Sequence, residues 1–202
     1  MQDKPWDARL AAYLVTPFID SAFTPNHFTT LRLVVGLAGA FLFAYGAYPN
    51  TAASLIIASN FIDHADGELA RMSDKTSHFG HLYDLAADAL VTILLFVGIG
   101  IGLSERPDDG GSNFAPIVMG AIAGIAVAII FQLRNHMESV SGKAAVTQVS
   151  FAGFEAEDIL YLLPLVTISG VLSQFLLAAA IGAPIAAMAV AIHFLSWRRQ
   201  RT

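Results

Sequence analysis

Apolar residues fall in long runs separated by short polar links, and the runs set the architecture. The first, from about Phe28 to Tyr45, is long enough to cross a hydrocarbon core of ~30 Å at ~1.5 Å per residue. A second runs from about Thr51 to Met72, a third from Phe79 to Leu103, and a fourth from Phe114 to Leu133. The stretch Ser104 to Asn113, with Glu105, Asp108, Asp109 and a glycine pair, reads as an exposed loop. Arg134 to Asp158 reads as a polar connection. The last apolar run, Ile159 to Trp197, is 39 residues. As one helix it would measure nearly ~60 Å, so it must fold back. Ser169-Gly170 and Ser173-Gln174 are its most polar points, and Pro164 and Pro184 should bend the two arms. The pattern predicts an all-α membrane protein of six transmembrane helices in one domain, residues 1–202, with a bundle over 27–197 and a basic tail over 198–202.

Ahead of the bundle, residues 1–26 form a lead-in. Within it, Trp6, Leu10, Tyr13, Leu14 and Phe18 recur at helical spacing. That predicts an amphipathic helix lying at the membrane interface; a cap packed on the bundle is the alternative. Thr24 can cap the first span with Pro25 at its first position. Gly36, Gly39 and Ala40 permit close helix contact.

Composition agrees: 55% of residues are hydrophobic and only 13% charged, against about 25% charged in soluble domains. The chain has no cysteine, which excludes disulfides, thiolate metal sites and cysteine nucleophiles. No cleavable signal peptide is evident. With six spans both termini share one side. That side would receive ten of the eleven basic residues, leaving only Arg106 opposite. The bias predicts cytoplasmic termini in a multi-pass protein of the inner or cytoplasmic membrane. Trp6, Trp197 and the tail Arg198, Arg199, Arg201 read as anchors to membrane lipid rather than a nucleic-acid surface.

The same topology puts an acidic segment, residues 63–88, at the cytoplasmic ends of spans two and three. Carboxylates are costly in a bilayer, so a cluster there marks function. Asp63 and Asp66 are three apart and Asp84 and Asp88 four apart, so each pair shares a helix face. Gly80 lies on the stripe of Asp84 and Asp88. Four converging carboxylates need protons or cations, and oxygen-only ligands select hard ions such as Mg²⁺, Mn²⁺ or Ca²⁺. Two divalent ions could clamp a diphosphate, and Arg71 offers a fork for phosphate oxygens. Gly67 leaves room for a bulky ligand. Taken singly, the residues have plainer readings: an Asp63–Arg71 ion pair, capping by Asn26 and Thr29, or Arg32 reaching for the interface. His78 and His81 beside the acids make a zinc site conceivable, but the oxygen set explains the acids better.

The spacing Asp63-x2-Asp66-Gly67-x2-Ala70-Arg71-x8-Gly80-x3-Asp84-x3-Asp88 resembles the signature of the CDP-alcohol phosphotransferase family, and every fixed position is present. The Pro25-Asn26-x2-Thr29 start of span one is similar to that family as well. The resemblance implies a phospholipid-synthesis enzyme that uses the hydroxyl of an acceptor alcohol to displace CMP from a CDP-linked alcohol, with CDP-diacylglycerol the favoured donor. It implies two Mg²⁺ or Mn²⁺ ions held by Asp63, Asp66, Asp84 and Asp88, with Asp88 also the general base. It further implies contacts to the CDP moiety from Asn26, Thr29, Asp66, Gly67, Ala70, Arg71, Ser77 and Gly80. Members are commonly homodimers, with the active site open to cytoplasm and lipid.

For the acceptor, Arg32, Arg134, Lys143 and Glu155 are the candidate residues on the same side. The last two spans carry no basic residue before Arg198, which favours an acceptor without phosphate. Acids at helix ends also suit an ion- or proton-coupled transporter. Such proteins show inverted repeats and broken midplane helices, and neither is evident here.

Overall fold

The computed structural model describes residues 12–73, 77–104, 113–141 and 157–199. All regular structure among them is helical: α1 (Pro25–Tyr45), α2 (Pro49–Ser73), α3 (His78–Ser104), α4 (Ala115–Ser141), α5 (Leu163–Ile168) and α6 (Leu172–Arg199). Short 3-10 turns cover Thr16–Phe18 and Glu157–Leu162. Four helices, α1, α3, α4 and α6, are long and apolar enough to cross a membrane.

Two of the six expected spans are not among these four. α2 has the length, but its second half carries Asp63, His64, Asp66, Glu68 and Arg71 and is too polar to qualify by composition. The fifth is represented only by a 3-10 turn running into the six-residue α5. Pro164 stands in the first turn of α5, where a missing N–H costs nothing, so it starts a helix rather than bending one. The reversal falls at Ser169-Gly170 as expected, with Gly170 at φ 68°, a conformation that favours glycine. α6 then begins at Leu172, so Ser173 and Gln174 are helical rather than part of the turn. Pro184 lies inside α6, and Arg198 and Arg199 form its last turn rather than a separate tail.

The fourth helix departs most from expectation. It continues beyond Leu133 to Ser141, because the charged residues there alternate with apolar ones such as the buried Met137. Polarity at Arg134 marks the end of the apolar run, not of the helix.

α1 packs on α2 and α3, α3 on α4, and α4 on α6. The stripe Thr29, Arg32, Gly36, Gly39, Ala40 and Phe43 of α1 faces inward. Gly36 lies against Val91 and Ser59, and Gly39 against Ile56 and Ala52, so the small residues do bring helices together. The core is Phe43, Ile56, Leu95, Phe96 and Ile99, all buried. At the α1 N-terminus, the Thr24 backbone N–H donates to His27 Nδ1 at 3.0 Å, closing a capping box.

Of the N-terminal lead-in, residues 12–15 are helical. Val15 is buried against Ala65 and Leu69, while Tyr13 and Leu14 face outward. This short element thus offers apolar surface both to the bundle and away from it. Trp6 and Leu10 lie outside the described residues.

Candidate functional site

Four helix ends meet at one end of the bundle: the start of α1, the end of α2, the start of α3 and the end of α4. The first three carry the residues expected to hold metal and the CDP moiety. Asp63, Asp66 and Asp84 bring one carboxylate oxygen each within 4.8 Å of one another. This is an all-oxygen donor set of the kind that suits a hard divalent cation. Asp66 is buried and accepts the Thr29 hydroxyl at 2.9 Å, which fixes its carboxylate against α1.

Asp88 joins the trio through Arg32. The Arg32 side chain is only 3% exposed and lies among all four acids. Its Nη1 is 2.6 Å from Asp88 Oδ1 and 2.9 Å from Asp63 Oδ1. Its Nη2 donates to Asp84 Oδ1 at 2.7 Å and to the Asp84 carbonyl at 2.9 Å. Its Nε makes no hydrogen bond and faces Asp66 Oδ2 at 3.7 Å. Arg32 therefore turns inward to the acids and not outward to the interface. One signal in the sequence pointed there: Asn26, Thr29 and Arg32 recur every three residues on one side of α1.

Two cavities flank the cluster and share Asp66, Gly67, Arg71 and Asp84. The smaller, about 250 Å³, is lined by Asn26, Thr29, Ala70, Ser77, Gly80 and His81 besides the shared residues. It unites the expected CDP-binding residues in one place. Gly80 is needed for its shape: a Cβ there would come within 2.8 Å of Asn26 Oδ1 and 3.0 Å of Ser77 Oγ.

The larger cavity, about 430 Å³, adds Asp63, Asp88 and the polar end of α4, with Gln132, Arg134, Asn135, Glu138 and Ser139. Gln132 Nε2 also donates to the Leu85 carbonyl at 2.8 Å, tying this wall to α3. Arg134 is thus beside the acids as expected, whereas Arg32 is not on the cavity wall. Lys143 and Glu155 lie outside the described residues. The wall residues Asn135, Glu138 and Ser139 had gone unnoticed, because their stretch read as a connection. Helical spacing of Arg134 with Glu138, and of Asn135 with Ser139, was the signal that could have found them.

Arg71 straddles both cavities. It does not pair with Asp63; instead its Nη2 donates to Glu68 Oε1 at 2.9 Å. Glu68 is 2% exposed and Arg71 56%, so a buried carboxylate holds an arginine that reaches into open space. No role for Glu68 was evident from sequence.

Apolar helices around a partly buried carboxylate cluster, with open polar cavities on both sides, define a membrane-embedded protein built to hold a polar ligand at one end of its bundle. The profile of CDP-alcohol phosphatidyltransferases matches residues 22–197, and the chain belongs to that family. It is 24% identical over 158 residues to a bifunctional IPC transferase and DIPP synthase of Aquifex aeolicus, covering 77% of this chain and 35% of that protein. It is 28% identical over 133 residues to an archaetidylinositol phosphate synthase of Methanothermobacter thermautotrophicus, covering 65% of this chain and 63% of the relative. The chain thus spans less than two thirds of either. Its fold resembles Mycobacterium tuberculosis phosphatidylinositol phosphate synthase with CDP-DAG bound, at TM-score 0.60 and 18% identity over 93% of this chain and 91% of the other. A structure of the same synthase with manganese and citrate matches at TM-score 0.57 and 19% identity, over 94% and 86%.

Proposed function

We propose that this protein transfers a phosphatidyl group from CDP-diacylglycerol to a hydroxyl of a polyol phosphate, of the inositol phosphate type, with release of CMP. The observation that carries the reading is the junction of two cavities at one carboxylate cluster: one lined by the family's CDP-contacting positions, the other walled by Arg134, Asn135 and Glu138. Two substrates can then meet across Asp63, Asp66, Asp84 and Asp88. The names of the relatives favour inositol phosphate chemistry, and Arg134 supplies a cation for an acceptor phosphate. This departs from the phosphate-free acceptor that counting charges on the last spans favoured. The cavity's charged wall is α4; the last run contributes only Leu160 and Tyr161 to it.

Asp63, Asp66, Asp84 and Asp88 would hold Mg²⁺ or Mn²⁺, which would offset the charge of the diphosphate and of the departing CMP. The remaining steps belong to the chain's own residues. Asn26, Thr29, Ser77 and Arg71 orient the nucleotide and diphosphate, and Gly67 and Gly80 leave space for them. The Asp88 carboxylate takes the proton from the acceptor hydroxyl as its oxygen bonds to the β-phosphorus. The phosphoanhydride bond breaks, and CMP leaves with the bonding pair. The Lys/Arg bias supports a cytoplasmic position for this end of the bundle and for both termini. The outward-facing Tyr13 and Leu14 suit an interfacial position for the short helix at residues 12–15, and the working unit would be a homodimer, as is common in the family.

The test incubates purified protein with CDP-diacylglycerol, Mn²⁺ or Mg²⁺ and a panel of alcohols, reading CMP and lipid product by mass. The expected product is a phosphatidyl polyol phosphate, and EDTA abolishes it. Reaction only with neutral alcohols refutes the acceptor. No reaction with any CDP-lipid refutes the donor.

A further inference from the structure

We infer that Arg32 is a resident counter-ion of the aspartate set, which shares the carboxylates with the divalent cations and so weakens and sets their affinity. This deepens the metal-dependent reading above and rests on it. Arg32 engages the very carboxylates that form the oxygen set: Asp63 at 2.9 Å and Asp84 at 2.7 Å, with Asp66 facing Nε at 3.7 Å. It also holds Asp88 at 2.6 Å. Of the two other arginines beside the cluster, Arg71 is paired with Glu68 and Arg134 lines the larger cavity from α4. Four crowded carboxylates repel one another, and one fixed guanidinium holds them together between helices.

Arg32 has little room to withdraw. Its backbone carbonyl accepts the Ser59 hydroxyl at 2.8 Å, which locks this turn of α1 to α2. Its side chain is 97% buried between α1, α2 and α3, since only 3% is exposed. Leaving would strip it of every ionic contact in a low-dielectric site. Cations must therefore load beside a positive charge. Across a span of ~5 Å, a fixed unit charge opposes a divalent ion by about tenfold in affinity even at the dielectric constant of water, and by more in a buried site.

The measurement is Mn²⁺ binding to the full-length protein in detergent, read by the electron paramagnetic resonance of free Mn²⁺, for wild type and Arg32→Gln. The variant should bind at least about tenfold more tightly. Thermal unfolding should show it less stable than wild type without metal and to gain more on Mn²⁺ addition. A purely structural Arg32 predicts equal or weaker binding in the variant, and that result overturns the inference. Absence of binding by both proteins overturns the metal-dependent reading too, and is distinguishable on that ground. Should the variant not fold, ¹⁵N-arginine NMR of wild type with Mg²⁺ decides. A restrained guanidinium resonance that shifts with saturation supports shared carboxylates; if no such resonance moves, the inference falls.

Discussion

Glu68 should act on donor binding through Arg71. Its carboxylate is buried and holds Arg71 Nη2 at 2.9 Å, while the arginine is 56% exposed and borders both cavities. A hydrogen bond to a charged group is worth about 1.5–3 kcal/mol when desolvated. Half of this pair is open to solvent, so about 1 kcal/mol is the reasonable figure, or about fivefold. Glu68→Ala should therefore raise KM for the CDP-lipid about fivefold, with kcat nearly unchanged. Arg71 loses no solvation in that variant, so the fold should hold. Glu68→Gln, whose amide oxygen can still accept from Arg71, should lose less. Initial rates of CMP release over a range of donor in mixed micelles give both constants. The decisive comparison is the double variant: Glu68→Ala with Arg71→Ala should be no worse than Arg71→Ala alone. Losses that simply add would refute the coupling, as would a fall in kcat at constant KM.

Asp88→Asn should keep CDP-lipid binding and lose turnover by about 10²–10⁴, the usual range for a missing general base; CMP release beside equilibrium donor binding checks it. Gly80→Ala must push Asn26 aside, since the new methyl would lie 2.8 Å from its Oδ1; donor KM should rise while thermal unfolding changes little. Arg134→Ala should raise KM for a phosphate-bearing acceptor about tenfold and leave donor KM alone, because it lines only the larger cavity. An equal effect on a neutral acceptor would show that Arg134 does not read the phosphate.

Local pattern carried far in this chain because the acids are local. Asp63 with Asp66, and Asp84 with Asp88, each lie within one helical turn, so spacing alone put each pair on a face; what joins the pairs is α1, which packs on both α2 and α3. The turn at Ser169-Gly170 was legible for the same reason, since a glycine with positive φ interrupts an otherwise continuous apolar run. The end of α4 was not. Hydropathy falls at Arg134, yet backbone hydrogen bonding continues wherever one face can still bury a residue such as Met137.

Arg32 shows the limit most clearly. By sequence it is a lone base near the start of an apolar helix, and reaching toward the interface is the usual solution for such a residue. Locally only the shared face with Asn26 and Thr29 hints otherwise, because Asp84 and Asp88 are 52 and 56 positions away. Charge closure in a membrane bundle is a long-range property: a carboxylate cluster accepts whichever cation the neighbouring helix turns toward it. An arginine is suited to this, since it stays ionised and spreads its charge over a planar fork. Four acids beside one inward-facing base on the adjoining helix should therefore be read together. The base tells how much cationic charge the acids still lack, and hence how strongly the site draws ions from solution.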